Sequence, residues 1–153
     1  MAPRLETVKH NLEPRNVGYS KEVADLYQDR DHGWLKKGSA NIFAGLYQKD
    51  LFIFAMALGK NRERSSDFGP KEKQDNVSVD AMTPAQKWAL LSIGIAESDG
   101  LLCLKNEGEI YSAAERYARE GIQILRSHME EAGPNYPKKL EVELRELLGL
   151  LED

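Results

Sequence analysis

The sequence EGEIYSAAERYAREGIQILRSHMEE, residues 107–131, carries the clearest helical pattern in the chain. Its apolar residues recur at spacings of three and four, which predicts a long amphipathic helix with one buried face. Ala113, Ala114 and Gly121 lie on that face, and such small residues allow a second helix to approach closely. The pair Gly133-Pro134 follows and is expected to end the helix. We therefore expect the fold to be built around this helix.

Four further helices are predicted, because apolar residues recur at helical spacing behind residues that cap helices. We expect an all-α chain, a single compact domain of about five helices. The first is a short helix that begins at Ser20. The second covers residues 41–58, where Asp50 caps a buried segment that ends at Gly59. The third begins at Thr83-Pro84 with Gln86 as its capping-box partner, and the fourth covers residues 138–152.

Two segments are expected to lie outside the helices. Residues 1–18 are polar, carry two prolines and show no apolar periodicity, which is typical of an extended or flexible arm before a helical domain at 19–153. Residues 60–80 form a polar loop that contains Gly69-Pro70 and is long for a compact domain. Loops of that length are usually functional or mobile.

Composition and charge exclude several classes of protein. The chain has 153 residues, 41% of them hydrophobic and 30% charged, which fits one globular domain and not collagen or a disordered chain. The formal net charge of −4 means that any contact with nucleic acid must come from a local patch. A single cysteine, Cys103, lies in an apolar run, so we expect a buried thiol and no internal disulfide.

No membrane segment is expected. Spanning a bilayer takes roughly 20 apolar residues, and the longest apolar run here, residues 51–58, is far shorter. The first residues lack the apolar core of a signal peptide. We therefore expect a cytoplasmic protein with no membrane partner.

The best candidates for DNA contact are cations at the start and end of the long loop. Lysine and arginine side chains after a helix end can contact phosphates and make binding sensitive to salt. The alternative is a solvated loop, since residues 60–75 carry a net charge of only +1. The predicted nucleic-acid-binding residues are Lys60, Arg62, Arg64, Lys71 and Lys73.

A second candidate surface is apolar and belongs to the last predicted helix. Its leucines recur on one side and either complete the core or pack against a partner helix. Trp88 is likewise expected in the core or at an interface. The predicted partner-binding residues are Leu140, Leu144, Leu147, Leu148 and Leu151.

Two acidic groups are candidates for a metal or catalytic site. The run Asp29-Arg30-Asp31-His32 could hold a divalent ion, although Arg30 favours an ion pair instead. Paired carboxylates could also do acid–base chemistry, or could cap helix ends. The second group is Glu97, Asp99, Glu107 and Glu109. Phosphate-binding glycine loops and the common hydrolase motifs are missing from the sequence, so we expect no cofactor, no catalytic residue and no metal ligand.

Three segments together resemble a known family. They are KDLFIFAMALGKNR at 49–62, IGIAESDG at 93–100 and YAREGI at 117–122. This arrangement resembles Dnd system-associated protein 4, a family of small accessory proteins linked to DNA phosphorothioation. The resemblance covers Ile42 to His128, and it departs from the family where Glu120 precedes Gly121.

The resemblance implies a non-enzymatic accessory protein of a prokaryotic defence system linked to DNA modification. It implies other defence-system proteins as partners and leaves direct DNA contact open. The family supplies no catalytic residues for this chain. A helical adaptor or homo-oligomerisation module unrelated to DNA, or a small metal-dependent nuclease, remain the alternatives.

Overall fold

Eight elements are present in the computed structural model, which describes residues 15–29, 31, 33–38, 42–98, 107–132 and 136–147. They are β1 (Asn16–Ser20), a 3-10 turn (Lys21–Val23), α1 (Ala24–Gln28), α2 (Gln48–Asn61), β2 (Lys73–Ser78), α3 (Pro84–Ser98), α4 (Glu107–Ala132) and α5 (Tyr136–Leu147). The long helix predicted over residues 107–131 is confirmed as α4.

Helix α4 is the element against which α2 packs most closely. The two helices cross in antiparallel directions, and their backbones touch at two glycines. A Cβ atom on Gly121 would overlap the carbonyl group of Ala55, and one on Gly59 would overlap the carbonyl group of Tyr117. Only glycine allows so close an approach, which confirms the close helix packing predicted for the small residues of α4.

The all-α expectation is wrong, because β1 and β2 pair as a two-stranded antiparallel sheet. The fold is therefore mixed α/β. Strand β1 begins inside the predicted arm, and β2 lies inside the predicted 60–80 loop. The paired residues are Asn16 with Ser78, Val17 with Val77, Tyr19 with Gln74, and Ser20 with Lys73, with an irregularity around Gly18.

The strands have a weak signal in the sequence for a physical reason. In β1 only Val17 and Tyr19 alternate as buried apolar residues, and in β2 Val77 is the single apolar side chain. The ribbon forms because these three side chains reach the core, each with at most 2% of its surface exposed. Burial of these side chains depends on pairing between residues some sixty positions apart in the sequence, and local apolar periodicity does not reveal such pairing.

Capping at Ser20 and at Thr83 is confirmed, whereas the helix predicted over residues 41–58 is wrong for 42–47. That helix begins at Gln48, with Tyr47 as its N-cap and Asp50 at its third position. The Ser20 hydroxyl accepts the Glu22 amide, and Thr83 and Gln86 form the predicted capping box with hydrogen bonds of 3.0 and 3.2 Å. Gly59 does not end its helix, which continues to Asn61. Gly59 lies inside the helix, at the point where α2 contacts α4, and does not form a C-cap.

The core joins the ribbon to the helices. Tyr19 of β1 stacks on Tyr27 of α1, with ring centroids 4.0 Å apart. The largest fully buried side chains are Tyr19, Phe52, Leu51, Met56, Leu90, Ile110, Ile122, Leu125, Val17, Val23 and Val77, together with the polar Ser20. Every element from β1 to α4 contributes to this set except the short α1, whose Tyr27 is nearly as buried.

Candidate nucleic-acid and partner surfaces

Lys60, near the end of α2, lies in a contact between three helices. Its ammonium group is 3.2 Å from Glu97 of α3 and lies over the ring of Tyr117 of α4. The Tyr117 hydroxyl donates a hydrogen bond to the same Glu97 carboxylate. This bond, together with Lys60, holds the pKa of Glu97 below its ordinary value. Lys60 therefore already has an anionic partner.

The segment that follows α2 is held against α4 by Arg119. The guanidinium donates to Glu72 at 2.8 Å and to Ser66 at 2.5 Å, and the ring of Phe68 lies beneath it. Glu72 also accepts the Gly69 amide at 2.6 Å, which with Arg119 lowers its pKa. The segment predicted to be a functional or mobile loop is thus hydrogen-bonded to α4 through Arg64, Ser66, Glu72 and Lys73.

Arg64 and Lys73 are also paired with carboxylates of α4. Arg64 lies 3.3 Å from Glu120, whose other oxygen accepts the Ser66 hydroxyl. Lys73 lies 3.0 Å from Glu115. Three of the five predicted DNA-binding cations, these two and Lys60, therefore form ion pairs within the chain.

The other two predicted cations are exposed. Arg62 is the C-cap of α2, and Lys71 has a backbone φ of 59°, the left-handed conformation that non-glycine residues seldom adopt. The structure thus places Lys60, Arg64 and Lys73 against carboxylates, and it places Arg62 and Lys71 at exposed positions.

Glu115 is the buried member of this set. Its side chain is 7% exposed, and its carboxylate accepts the Gly18 amide of β1 at 2.6 Å as well as the Lys73 ammonium group. Burial raises the pKa of Glu115, while the bonds from Lys73 and Gly18 oppose that rise. The carboxylate thus connects both strands of the ribbon to α4.

Two of the four predicted acidic residues meet in one cavity. Glu97 and Glu109 line a cavity of about 510 Å³ between α3 and α4. Ser112 and Arg116 line it too, and Arg116 donates to Ser112 at 3.1 Å. Asp99 lies outside the described residues, as does the side chain of Glu107. The cavity therefore presents mixed charge and not a purely acidic cluster.

The first acidic run is only partly visible. Asp29 and Asp31 are exposed, and the Asp31 amide donates to the Asp29 carboxylate at 2.8 Å. Arg30 and His32 lie outside the described residues, as does Cys103. Within the described part of the chain, no three His, Cys, Asp or Glu side chains are grouped so that they could hold a metal ion.

The predicted leucine surface is described at one residue. Leu140 is buried as a member of the core cluster, so at this position the helix completes the core. Leu144 and Leu147 belong to α5, but their side chains lie outside the described residues, as do Leu148 and Leu151 altogether. Val142, on the same helix, is 42% exposed.

Trp88, predicted to lie in the core or at an interface, lies at the surface of α3 with 66% of its area exposed. The exposed residues around it on α3 include Ala85, Ser92 and Ala96. Lys87 and Glu97 are the helix's charged residues, so its outer face is largely uncharged. The low charge of a 15-residue helix was the signal in the sequence that indicated this surface.

A second exposed apolar area adjoins the ribbon. Leu46 and Tyr47, just before α2, are 45% and 71% exposed. Beside them a groove of about 510 Å³ runs between the start of α2 and β2. It is lined by Tyr47, Gln48, Lys49, Asn76, Val77, Ser78 and Ala81.

These features define a small mixed α/β protein with a ribbon fixed to a central helix and two exposed apolar areas. The chain belongs to the family of DNA sulphur modification system-associated protein 4, which it matches over residues 17–147. The match confirms the resemblance and extends it on both sides, into β1 and α5. Neither the curated proteins nor the solved structures contain a match. No described helix has the length and apolar character needed to cross a bilayer.

Proposed function

We propose that this chain is a non-catalytic accessory protein that binds another protein of the DNA sulphur modification system through the face of α3 centred on Trp88. The observation that carries the proposal is a tryptophan with 66% of its surface exposed on a largely uncharged helical face. Tryptophan is among the residues that contribute most to protein interfaces. Membership of the family supplies the system in which the partner is sought.

The expected partner presents an apolar pocket that accepts the indole ring. We place protein contact ahead of DNA contact because Lys60, Arg64 and Lys73 already pair with carboxylates. A phosphate would have to compete with these carboxylates for the same cations.

The test measures binding of the purified chain to each of the other proteins of such a system by titration calorimetry. The W88A variant is expected to weaken the interaction by about tenfold or more. Y47A, which removes an equally exposed ring elsewhere, is the matched control and should bind like the wild type. Equal affinity of W88A and the wild type would contradict binding through the α3 face. Absence of binding to every component of the system would contradict the accessory role.

DNA contact through Lys60, Arg62, Arg64, Lys71 and Lys73 stays a prediction within this proposal. Charge reversal in R62E/R64E is expected to abolish salt-dependent binding to a DNA duplex. The matched control is K36E/K37E, which makes the same charge change at two other exposed lysines. Unchanged duplex binding in R62E/R64E would contradict the assignment of these residues.

The non-catalytic part of the proposal is supported by the state of Glu97. Its carboxylate accepts from Tyr117 and Lys60, so it is held as an anion and is poorly suited to take up a proton. Calorimetry with magnesium, manganese and calcium tests the alternative of a metal-dependent nuclease. Heat of binding that is lost in E97Q/E109Q would contradict our proposal.

A further inference from the structure

The cavity between α3 and α4 brings together charged groups from both helices. Its volume of about 510 Å³ is within the range of sites that hold small molecules. Glu109, Ser112 and Arg116 line it from α4, and their spacings of three and four place them on one face of that helix. Glu97 lines it from α3. The ligand that fits this cavity is therefore decided by how far each of these charges is already neutralised.

The two carboxylates of the cavity differ in this respect. Glu97 lies 3.2 Å from Lys60 and accepts the Tyr117 hydroxyl, so its charge is balanced within the protein. The Glu109 side chain is exposed, and it makes no ion pair or side-chain hydrogen bond in the part of the chain that the structure describes. Glu109 is therefore the carboxylate that is left for a cationic group of a ligand.

The Arg116 guanidinium also has bonding capacity to spare. Its Nη1 donates to Ser112 Oγ at 3.1 Å, so the side chain reaches back by one turn of α4. Its Nε lies 3.7 Å from a carboxylate oxygen of Asp67, a side chain that is 90% exposed, so water screens this contact. A guanidinium has five N–H donors, and these two contacts leave at least three of them for a carboxylate of the ligand.

The two opposite charges lie close together along α4. Because the Arg116 guanidinium is bonded to Ser112, three residues from Glu109, the two groups are separated by roughly 4.5 Å along the helix axis. An anion would be repelled by Glu109, and a metal ion or a polyamine would be repelled by Arg116. A ligand that carries both charges at a short separation is attracted by both groups, and it adds no net charge to the cavity.

We propose that this cavity binds a free α-amino acid, whose ammonium and carboxylate groups are attached to one carbon atom. Arg116 donates to the carboxylate, and Glu109 accepts from the ammonium group. The remaining lining residues have no side chain longer than a methyl group, which leaves room for the side chain of the ligand. They are Gly94, Gly108 and Ala113. The inference does not rest on the proposed function.

The test uses the full chain and the twenty common amino acids, first by thermal shift and then by titration calorimetry. At least one amino acid is expected to bind. Its decarboxylated amine and its deaminated acid each lack one charged group, so each should bind at least tenfold more weakly. Absence of binding by every amino acid would overturn the inference. An amine or acid analogue that binds as tightly as its amino acid would also overturn it.

Variants of the two charged residues test the assignment of the site. R116Q and E109Q should each weaken binding by about tenfold or more. E130Q, which makes the same change at another exposed glutamate of α4, is the matched control and should bind like the wild type. Circular dichroism checks that each variant is folded. Wild-type affinity in R116Q or in E109Q would contradict the site. W88A should bind the amino acid unchanged, which separates this result from the test of the α3 face.

Discussion

Glu115 shows at the scale of one residue how the ribbon is attached to α4. A carboxylate with 7% exposure must be fully hydrogen-bonded to be tolerated in the interior, and Gly18 and Lys73 provide those bonds. The same side chain therefore satisfies an amide of β1 and neutralises a cation of β2. Sequence patterns did not reveal this role, because a glutamate in an amphipathic helix is usually solvated.

Replacing this residue is expected to destabilise the protein. E115A leaves the buried Gly18 amide without an acceptor, which should lower the free energy of unfolding by about 2 kcal/mol. Urea unfolding measures the change, with E109A as the control because Glu109 is an exposed residue of the same helix. E115Q keeps an acceptor and should lose less. Equal stability of E115A and E109A would show that the attachment does not depend on this side chain.

Glu97 is expected to make the stability of the folded chain depend on pH. Its pKa in the folded state lies below the ordinary 4.5, because Tyr117 and Lys60 favour the carboxylate. The stabilisation is therefore present above pH 4.5 and is lost as the pH falls through the lower, folded-state pKa. E97Q should melt at a lower temperature than the wild type at pH 7, and the gap between the two melting temperatures should narrow as the pH falls below 4.5. A gap that is constant from neutral to acidic pH would contradict this linkage.

At the scale of elements, the crossing of α2 and α4 depends on glycine at two positions. G121A would place a methyl group against the carbonyl of Ala55, and neither backbone can move without displacing a helix. We expect a loss of about 3 kcal/mol or more in the free energy of unfolding. Thermal or urea unfolding measures it, and S127A, an exposed position on the same helix, should be within about 0.5 kcal/mol of the wild type. A G121A variant with the free energy of unfolding of the wild type would show that α2 and α4 can move apart without loss of stability.

The helices were predictable from sequence because their signals are local. Apolar spacing located α4, and the Thr83–Gln86 capping box located the start of α3. A glycine after an apolar helix usually ends it, so the sequence predicts that Gly59 ends α2, whereas in the structure the close approach of α4 requires the glycine. The strands were missed since a six-residue polar segment such as β2 becomes a strand only through its distant partner.

At the scale of the whole molecule, the ribbon and the helices share one core. Tyr19 of β1 stacks on Tyr27 and is 2% exposed, so Y19A should destabilise the entire chain by about 3 kcal/mol. Unfolding followed by helical circular dichroism and by tryptophan fluorescence should shift together. Y47A, at 71% exposure, is the control and should be nearly neutral. A shift in one signal alone would show that the chain does not unfold as one unit.

The candidate surfaces were predictable only in part. Composition and charge located the five cations, but the sequence did not reveal that Glu97, Glu120 and Glu115 neutralise three of them. Those carboxylates belong to α3 and α4, and their distance from the cations is set by the tertiary fold. The sequence places Trp88 in a core or at an interface but does not show that it is exposed. Whether a helical side chain is buried depends on which other elements pack on that helix.

The reciprocal glycine contact between α2 and α4 also has a mechanical consequence. Side-chain packing can adjust by changing rotamers, but two backbones in contact have no such freedom. A force applied at Tyr47, before the first turn of α2, is therefore transmitted to α4 as rigid-body motion. Strain introduced by a molecule bound near α2 would reach the residues of α4 around Tyr117 without being absorbed between them.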